Sequence, residues 1–271
     1  MGKSRSVNLA GPWPIRVTWL VLPLVLGPAL DAASADRSRA VGLTVAALAW
    51  AAWTAGIVAV LVPRTVGLTY LRIAAPAGVA LATWGALGDA DAAAAVVGLV
   101  AATAAAVAAL APTTGDAFVN GSAYGPERRL ALRPPAALLF GPVELVWLAV
   151  VGGAVAGPLL LAAERWVAGV VALVVGVPVA VLGSRSLHQL ARRWLVFVPA
   201  GVVVHDPTAL AAQLLRRQSI RSIGPAPATT DAHDLTGGAP GLALEVVLGA
   251  PVTLELLARR GTPPPPVETD R

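Results

Sequence analysis

Cysteine is absent from this 271-residue chain, which excludes disulfides, thiolate chemistry and cysteine-ligated metals. Charge is scarce: 13% of the residues are charged, where an ordinary soluble domain carries about 25%. Lysine is nearly missing, Lys3 being the single lysine among the twenty basic residues. With Ala, Val, Gly and Pro abundant, that bias points to a GC-rich coding sequence and a high-GC bacterium. The formal charge is +5, but the arginines stand at the ends of apolar runs and form no basic stripe interleaved with aromatics. Nucleic acid is therefore not an expected partner. There is no Gly-x-Gly-x-x-Gly run, Walker loop or Gly-x-Ser-x-Gly elbow. The three histidines, His188, His205 and His233, lack the i, i+4 spacing of a helical zinc site. Neither a metal nor another cofactor is expected.

What the chain does have is length of apolar sequence. Charge-free stretches alternate with short charged clusters, the pattern of repeated membrane crossing. Six spans are expected, at about 17–33, 40–63, 68–88, 92–112, 138–163 and 166–184. The first is shortened by Arg16 and Asp31 and contains Pro23 and Pro28. It competes with a cleaved signal peptide, because Ala32-Ala-Ser-Ala35 resembles a cleavage site. An uncleaved span is preferred, since an even count of spans satisfies the charge bias. The third is free of charge only from Ile73 to Gly88 and extends back past Arg72.

The positive-inside rule orients the chain. Lys3, Arg5 and Arg16, then Arg64 and Arg72, then Arg128, Arg129 and Arg133, then Arg185, Arg192 and Arg193 all fall on one side. Arg37 and Arg39 go against the bias. Both termini are expected in the cytoplasm of a bacterial cell, with the chain in its plasma membrane. Trp19, Trp147 and Trp166 stand near span ends, as interface anchors do. Gly153 and Gly157, four apart, offer a small face for helix packing.

After Ser184 the pattern changes. Trp194–Val198 and Val202–His205 flank Pro199-Ala200-Gly201 and predict a hairpin. Residues Ala209 to Arg217 predict a short helix and Ser219 to Ile223 a strand. The alternation over Leu242–Leu248 and Val252–Leu256, around Gly249-Ala250-Pro251, predicts a second hairpin with one buried face. Residues 225–241 read as a loop, and the Pro-rich tail 262–271 as disordered or polyproline. The expected fold is thus an all-α polytopic membrane bundle of about six transmembrane helices (1–185). A small β-rich cytoplasmic module follows (186–261).

The most distinctive text is the connection between the fourth and fifth spans, Pro112 to Pro135. It gathers Asp116, Asn120, Ser122, Tyr124, Glu127, Arg128, Arg129 and Arg133. Adjacent arginines clamp a phosphate or carboxylate; equally, they fix topology and touch anionic lipid headgroups. Asn120-Gly121-Ser122 fits a glycosylation pattern that has no meaning on a cytoplasmic bacterial loop. Glu144 is the one acidic residue well inside an expected span, which makes it a candidate by default. The candidate substrate- or partner-binding residues are therefore Asp116, Asn120, Tyr124, Glu127, Arg128, Arg129 and Glu144, with no catalytic residue among them.

The text Phe118-Val-Asn-Gly-Ser-Ala-Tyr-Gly-Pro-Glu-Arg-Arg129, Ser186-Leu-His-Gln-Leu190 and Arg193-Trp-Leu-Val-Phe-Val-Pro-Ala-Gly-Val-Val-Val-His-Asp-Pro207 resembles a family of actinobacterial integral membrane proteins. The resemblance runs from the fourth span onward and implies an inner-membrane protein. It carries no activity. At the level of pattern alone, the C-terminal strands are similar to small bacterial pleckstrin-homology-like modules. Two functions are open: a membrane-anchored interaction or scaffold protein, or a transporter or membrane enzyme with its site at the cytoplasmic mouth of the bundle. The expected partners are the lipid bilayer, anionic headgroups and a cytoplasmic protein.

Overall fold

The structure, a computed structural model, describes residues 11–88, 91–207, 212–227, 229, 231–254 and 267–269, the backbone alone at 254 and 267–269. Its helices are α1 (Trp13–Ser34), α2 (Arg39–Leu61), α3 (Thr65–Ala86), α4 (Ala92–Leu110), α5 (Pro112–Asn120), α6 (Ala136–Leu139), α7 (Pro142–Ala162) and α8 (Trp166–Ala191). Six helical segments are long and apolar enough to cross a membrane. They overlap the six expected spans; α1 begins earlier than expected, at Trp13, and takes in Arg16, and α3 runs through Arg72 as expected. The chain divides into two compact units. The first is 1–121 with 147–184, and the second is 122–146 with 185–271.

In the first unit α4 packs against α1 and α3, and α5 packs against α3 and α4. Alanine makes this possible. Ala102, Ala105, Ala106, Ala108 and Ala109 of α4 are buried, and such small side chains let helix backbones approach. Asp91 caps α4, accepting from the amides of Ala93 and Ala94, and Ser38 caps α2 by accepting from Val41.

A proline inside a helix leaves a carbonyl without its usual donor, and at Pro23 the neighbouring helix supplies a replacement. Pro23 has no N–H for the carbonyl of Trp19, four residues earlier. The Trp53 indole donates to that carbonyl at 2.9 Å. The Trp19 indole donates in return to the Trp53 carbonyl at 3.0 Å. Trp19 is therefore buried between α1 and α2 rather than anchored at an interface, with 3% exposure. Gly56 makes room for it: a Cβ there would lie 2.1 Å from the Trp19 ring. Arg16 donates to the Val60 carbonyl in the last turn of α2 at 3.1 Å, where helix carbonyls lack intrahelical partners. Trp147 donates to the Ile73 carbonyl at 2.9 Å, tying α7 to α3. Of the three expected anchors, Trp166 is the one that is exposed. The Gly153 face is used as expected. Gly153 packs on Gly176, Gly157 on Leu173, and Gly169 on Leu161.

The second unit holds the strands: β1 (Arg128–Ala131), β2 (Trp194–Val198), β3 (Gly201–His205), β4 (Gln213–Arg216), β5 (Ile220–Pro225), β6 (Leu244–Leu248), β7 (Val252–Leu254) and β8 (Val267–Thr269). Antiparallel β1-β2-β3-β4 form one sheet, and β5–β6 and β7–β8 form two pairs. The expected hairpin is β2–β3, closed by Pro199 and Ala200. Gly201 is required there: its φ is +154°, and a Cβ would lie 2.0 Å from the Leu215 carbonyl oxygen of β4.

Three expectations are corrected. Residues 213–216 are a strand, not the end of a helix, while 208–211 lie outside the described residues. The runs at 244–248 and 252–254 pair with β5 and β8 instead of with each other. In the tail, 267–269 are a strand, and 262–266 with 270–271 lie outside the described residues.

Candidate functional site

The connection after α5 does not end as a loop. Tyr124, Gly125, Pro126 and Glu127 form a turn, with the Glu127 amide donating to the Tyr124 carbonyl at 3.2 Å. Gly125 takes φ +57°, a conformation glycine adopts without strain. The chain then enters β1, an edge strand of the sheet, with Arg129 opposite Val196 and Ala131 opposite Trp194. Alternation along a strand places Arg129, Ala131, Trp194 and His205 on one face. Diagonal neighbours on such a face are within reach of long side chains. The Arg129 guanidinium accordingly lies 5.5 Å from the Trp194 ring centroid, and Trp194 stacks on His205 at 4.8 Å. Arg129 also donates through Nε to Glu127 and through Nη1 to Ser122 Oγ at 3.1 Å.

The charges settle accordingly. The hydrogen bond from Arg129 is the main reason the Glu127 carboxyl titrates below its ordinary range. Burial, then repulsion from Arg192 and Arg129, holds the His205 imidazole below its ordinary value, with Asp206 opposing. At neutral pH the face carries an ionised Glu127–Arg129 pair and a neutral imidazole. The Nε2 of His205 is buried without a hydrogen-bond partner.

One residue further along each strand stands a buried ion pair. Because Trp194 is opposite His205, Arg193 and Asp206 meet, Nε to Oδ2 at 2.8 Å and Nη2 to the same oxygen at 2.6 Å. Their side chains are 3% and 2% exposed. The third nitrogen, Nη1, donates to the Arg133 carbonyl at 3.1 Å. The Arg193 carbonyl in turn accepts from the Leu132 amide at 3.0 Å. This pair therefore fastens the exit of β1 to the hairpin.

The sequence-derived candidates are divided between the two units. Asp116 and Asn120 lie on α5 in the first unit, where Asn120 Nδ2 donates to the Asp116 carbonyl at 2.8 Å. Tyr124 stands at the turn, 85% exposed, and Arg128 is exposed at the start of β1. Glu127 and Arg129 are brought together. Glu144 is the third residue of α7, and its carboxylate accepts from the Gly141 amide at 2.7 Å. That is the reach-back half of a capping box at the start of α7. Trp194, Arg193 and Ser122 were missed as partners of Arg129 and Asp206. For Trp194 the signal was present, since it opens the expected hairpin two residues diagonal to the arginine, but β1 itself was not foreseen. No protein-family model, curated protein or solved structure matches this chain.

Proposed function

We propose that this chain is a multi-pass protein of the bacterial plasma membrane, related to actinobacterial membrane proteins, that works as a membrane-anchored scaffold. It presents a cytoplasmic sheet to an acidic partner. The observation that carries the reading is the pairing of β1 with β2. Two strands in one sheet must stand on the same side of a bilayer, and the two apolar helices made between them, α7 and α8, return the chain to that side. The arginine bias makes it the cytoplasmic one. The exposed Arg128 and Tyr124 beside the fixed Glu127–Arg129 pair offer a cationic, aromatic edge suited to anionic headgroups or an acidic protein surface. Glu144, the main argument for the alternative of a transporter or membrane enzyme, serves as a helix cap, which lowers that reading.

Because the chain has no cysteine, single cysteines report topology cleanly. Cysteines at Asn120 and Ala200 should react with an impermeant maleimide only in inverted vesicles, and those at Asp36 and Ala90 only in intact cells. Labelling of 120 and 200 on opposite sides overturns the reading. A photo-crosslinker replacing Arg128 should then capture a cytoplasmic protein, with capture competed by an acidic peptide. Crosslinks to lipid alone would reduce the edge to a headgroup anchor.

A further inference from the structure

We infer that the first unit carries a binding site for an aminophospholipid, a diacyl lipid whose headgroup joins a phosphate to a primary ammonium. The inference rests on the membrane reading given above. A cleft of about 540 Å³ opens between the α1–α2 turn, α2, the end of α3 and the end of α7, within the size range of ligand pockets. Its rim is formed by Asp36, Arg37 and Ser38. Its walls are apolar, formed by Val41 and Val45 of α2 and by Leu159 and Leu160 of α7. Trp84 of α3 lines it as well.

Charge complementarity selects the occupant. Asp36 and Arg37 are adjacent and exposed, and neither belongs to the two ion pairs among the described residues. Opposite charges left open side by side match a headgroup that carries both signs. The Arg37 fork suits a phosphate oxygen pair. The start of α2, at the same rim, adds the positive end of a helix dipole. Asp36 suits an ammonium that retains its N–H donors. Below the rim the apolar walls take the glycerol backbone and the upper acyl chains. The site also accounts for Arg37 standing against the positive-inside bias, because a cation on that side is compensated there by a bound phosphate. A purely anionic headgroup would leave Asp36 repelled, and a quaternary ammonium has no proton to donate to it.

Trp84 supplies the readout. The protein is reconstituted in phosphatidylcholine vesicles holding a minor fraction of acyl-brominated phosphatidylethanolamine or phosphatidylglycerol. The Trp84 signal is the difference between the natural chain and Trp84→Phe. Brominated phosphatidylethanolamine should quench that signal at about fivefold lower lipid fraction than brominated phosphatidylglycerol, the factor expected from one headgroup charge contact. Asp36→Asn should abolish the preference, and Arg37→Gln should weaken quenching by both lipids. Both positions are exposed, so folding is kept. Equal quenching by the two lipids means ordinary annular lipid and overturns the site. A preference for phosphatidylglycerol overturns the two-charge match. Failure of the protein to float with the vesicles is a different result: it removes the membrane reading, and the site falls with it.

Discussion

Arg16 is half-buried in the first compact unit and Arg193 is buried in the second, and they are compensated differently. Arg16 donates to a backbone carbonyl, that of Val60. Arg193 donates to a carboxylate, that of Asp206. The difference follows from what each architecture has to spare. Helices leave carbonyls free at their last turn and before prolines, and the first unit fills them with side chains: Arg16 on Val60, Trp53 on Trp19. A sheet interior spends its carbonyls in the ladder, so a buried cation there needs an acid. The helical unit thus holds its polar groups with few charges, and the sheet unit holds its buried cation with a carboxylate.

The sharpest way to break that contrast is Asp206→Ala. Removing one member of a buried pair strands the other, at a cost of about 3–5 kcal/mol. Denaturant unfolding followed by Trp194 emission, or proteolysis within 212–227, should show the sheet lost while the helical content stays. The double change Arg193→Met with Asp206→Leu should recover most of the loss, because a well-packed apolar pair avoids the desolvation penalty. If Asp206→Ala is silent, the pair is not what fastens β1.

Within the helical unit the comparable lesion is steric. Gly56→Ala drives a methyl into the Trp19 ring and should cost about 1–3 kcal/mol. Gly152→Ala, which meets nothing within 4 Å, is the control and should be neutral in detergent thermal melts. Trp53→Phe, which removes the donor to the carbonyl left by Pro23, should cost less, about 0.6–1.7 kcal/mol.

The smallest effect is acid sensitivity confined to the sheet unit. His205 is held below its ordinary 6.5, so the unfolded chain takes up a proton first. Stability is full above pH 6.5 and falls as pH drops from there through the lowered folded value. Glu127 is held below its ordinary 4.5, and its contribution is lost lower still, as pH falls through its folded value. His205→Gln should flatten the upper stage and leave the lower one. A melt of the sheet unit that does not change between pH 7 and 5 would contradict the first stage.

The helices were legible because twenty apolar residues in a row have few other uses. Their ends were less so. Arg16 reads as a boundary, yet it lies inside helix, where an acceptor on α2 meets it, and that depends on a segment far along the chain. Trp19 stood near a span end on paper, and only the packing of Gly56 reveals it as core. The hairpin around Pro199-Ala200-Gly201 was legible from its turn. β1 was not, because Arg128-Arg-Leu-Ala131 is four residues long and finds its partner only at Trp194. The strand at 244–248 has the alternation that was read, but alternation names a face and not a neighbour, so its pairing with 220–225 was out of reach. Glu144 had a local signal that was passed over: Gly141, proline and then an acid at the third helical position is a helix start.

The pairing of β1 with β2 also orders events in time. β1 ends at Ala131, and its partner begins at Trp194, with α7 and α8 between them. At about 5–20 residues per second of synthesis, β1 leaves the ribosome several seconds before the strand it needs exists. Its backbone donors and acceptors on that side stay open through the making of two apolar helices. The sheet is therefore a late closure: its formation marks the moment at which both helices have been made.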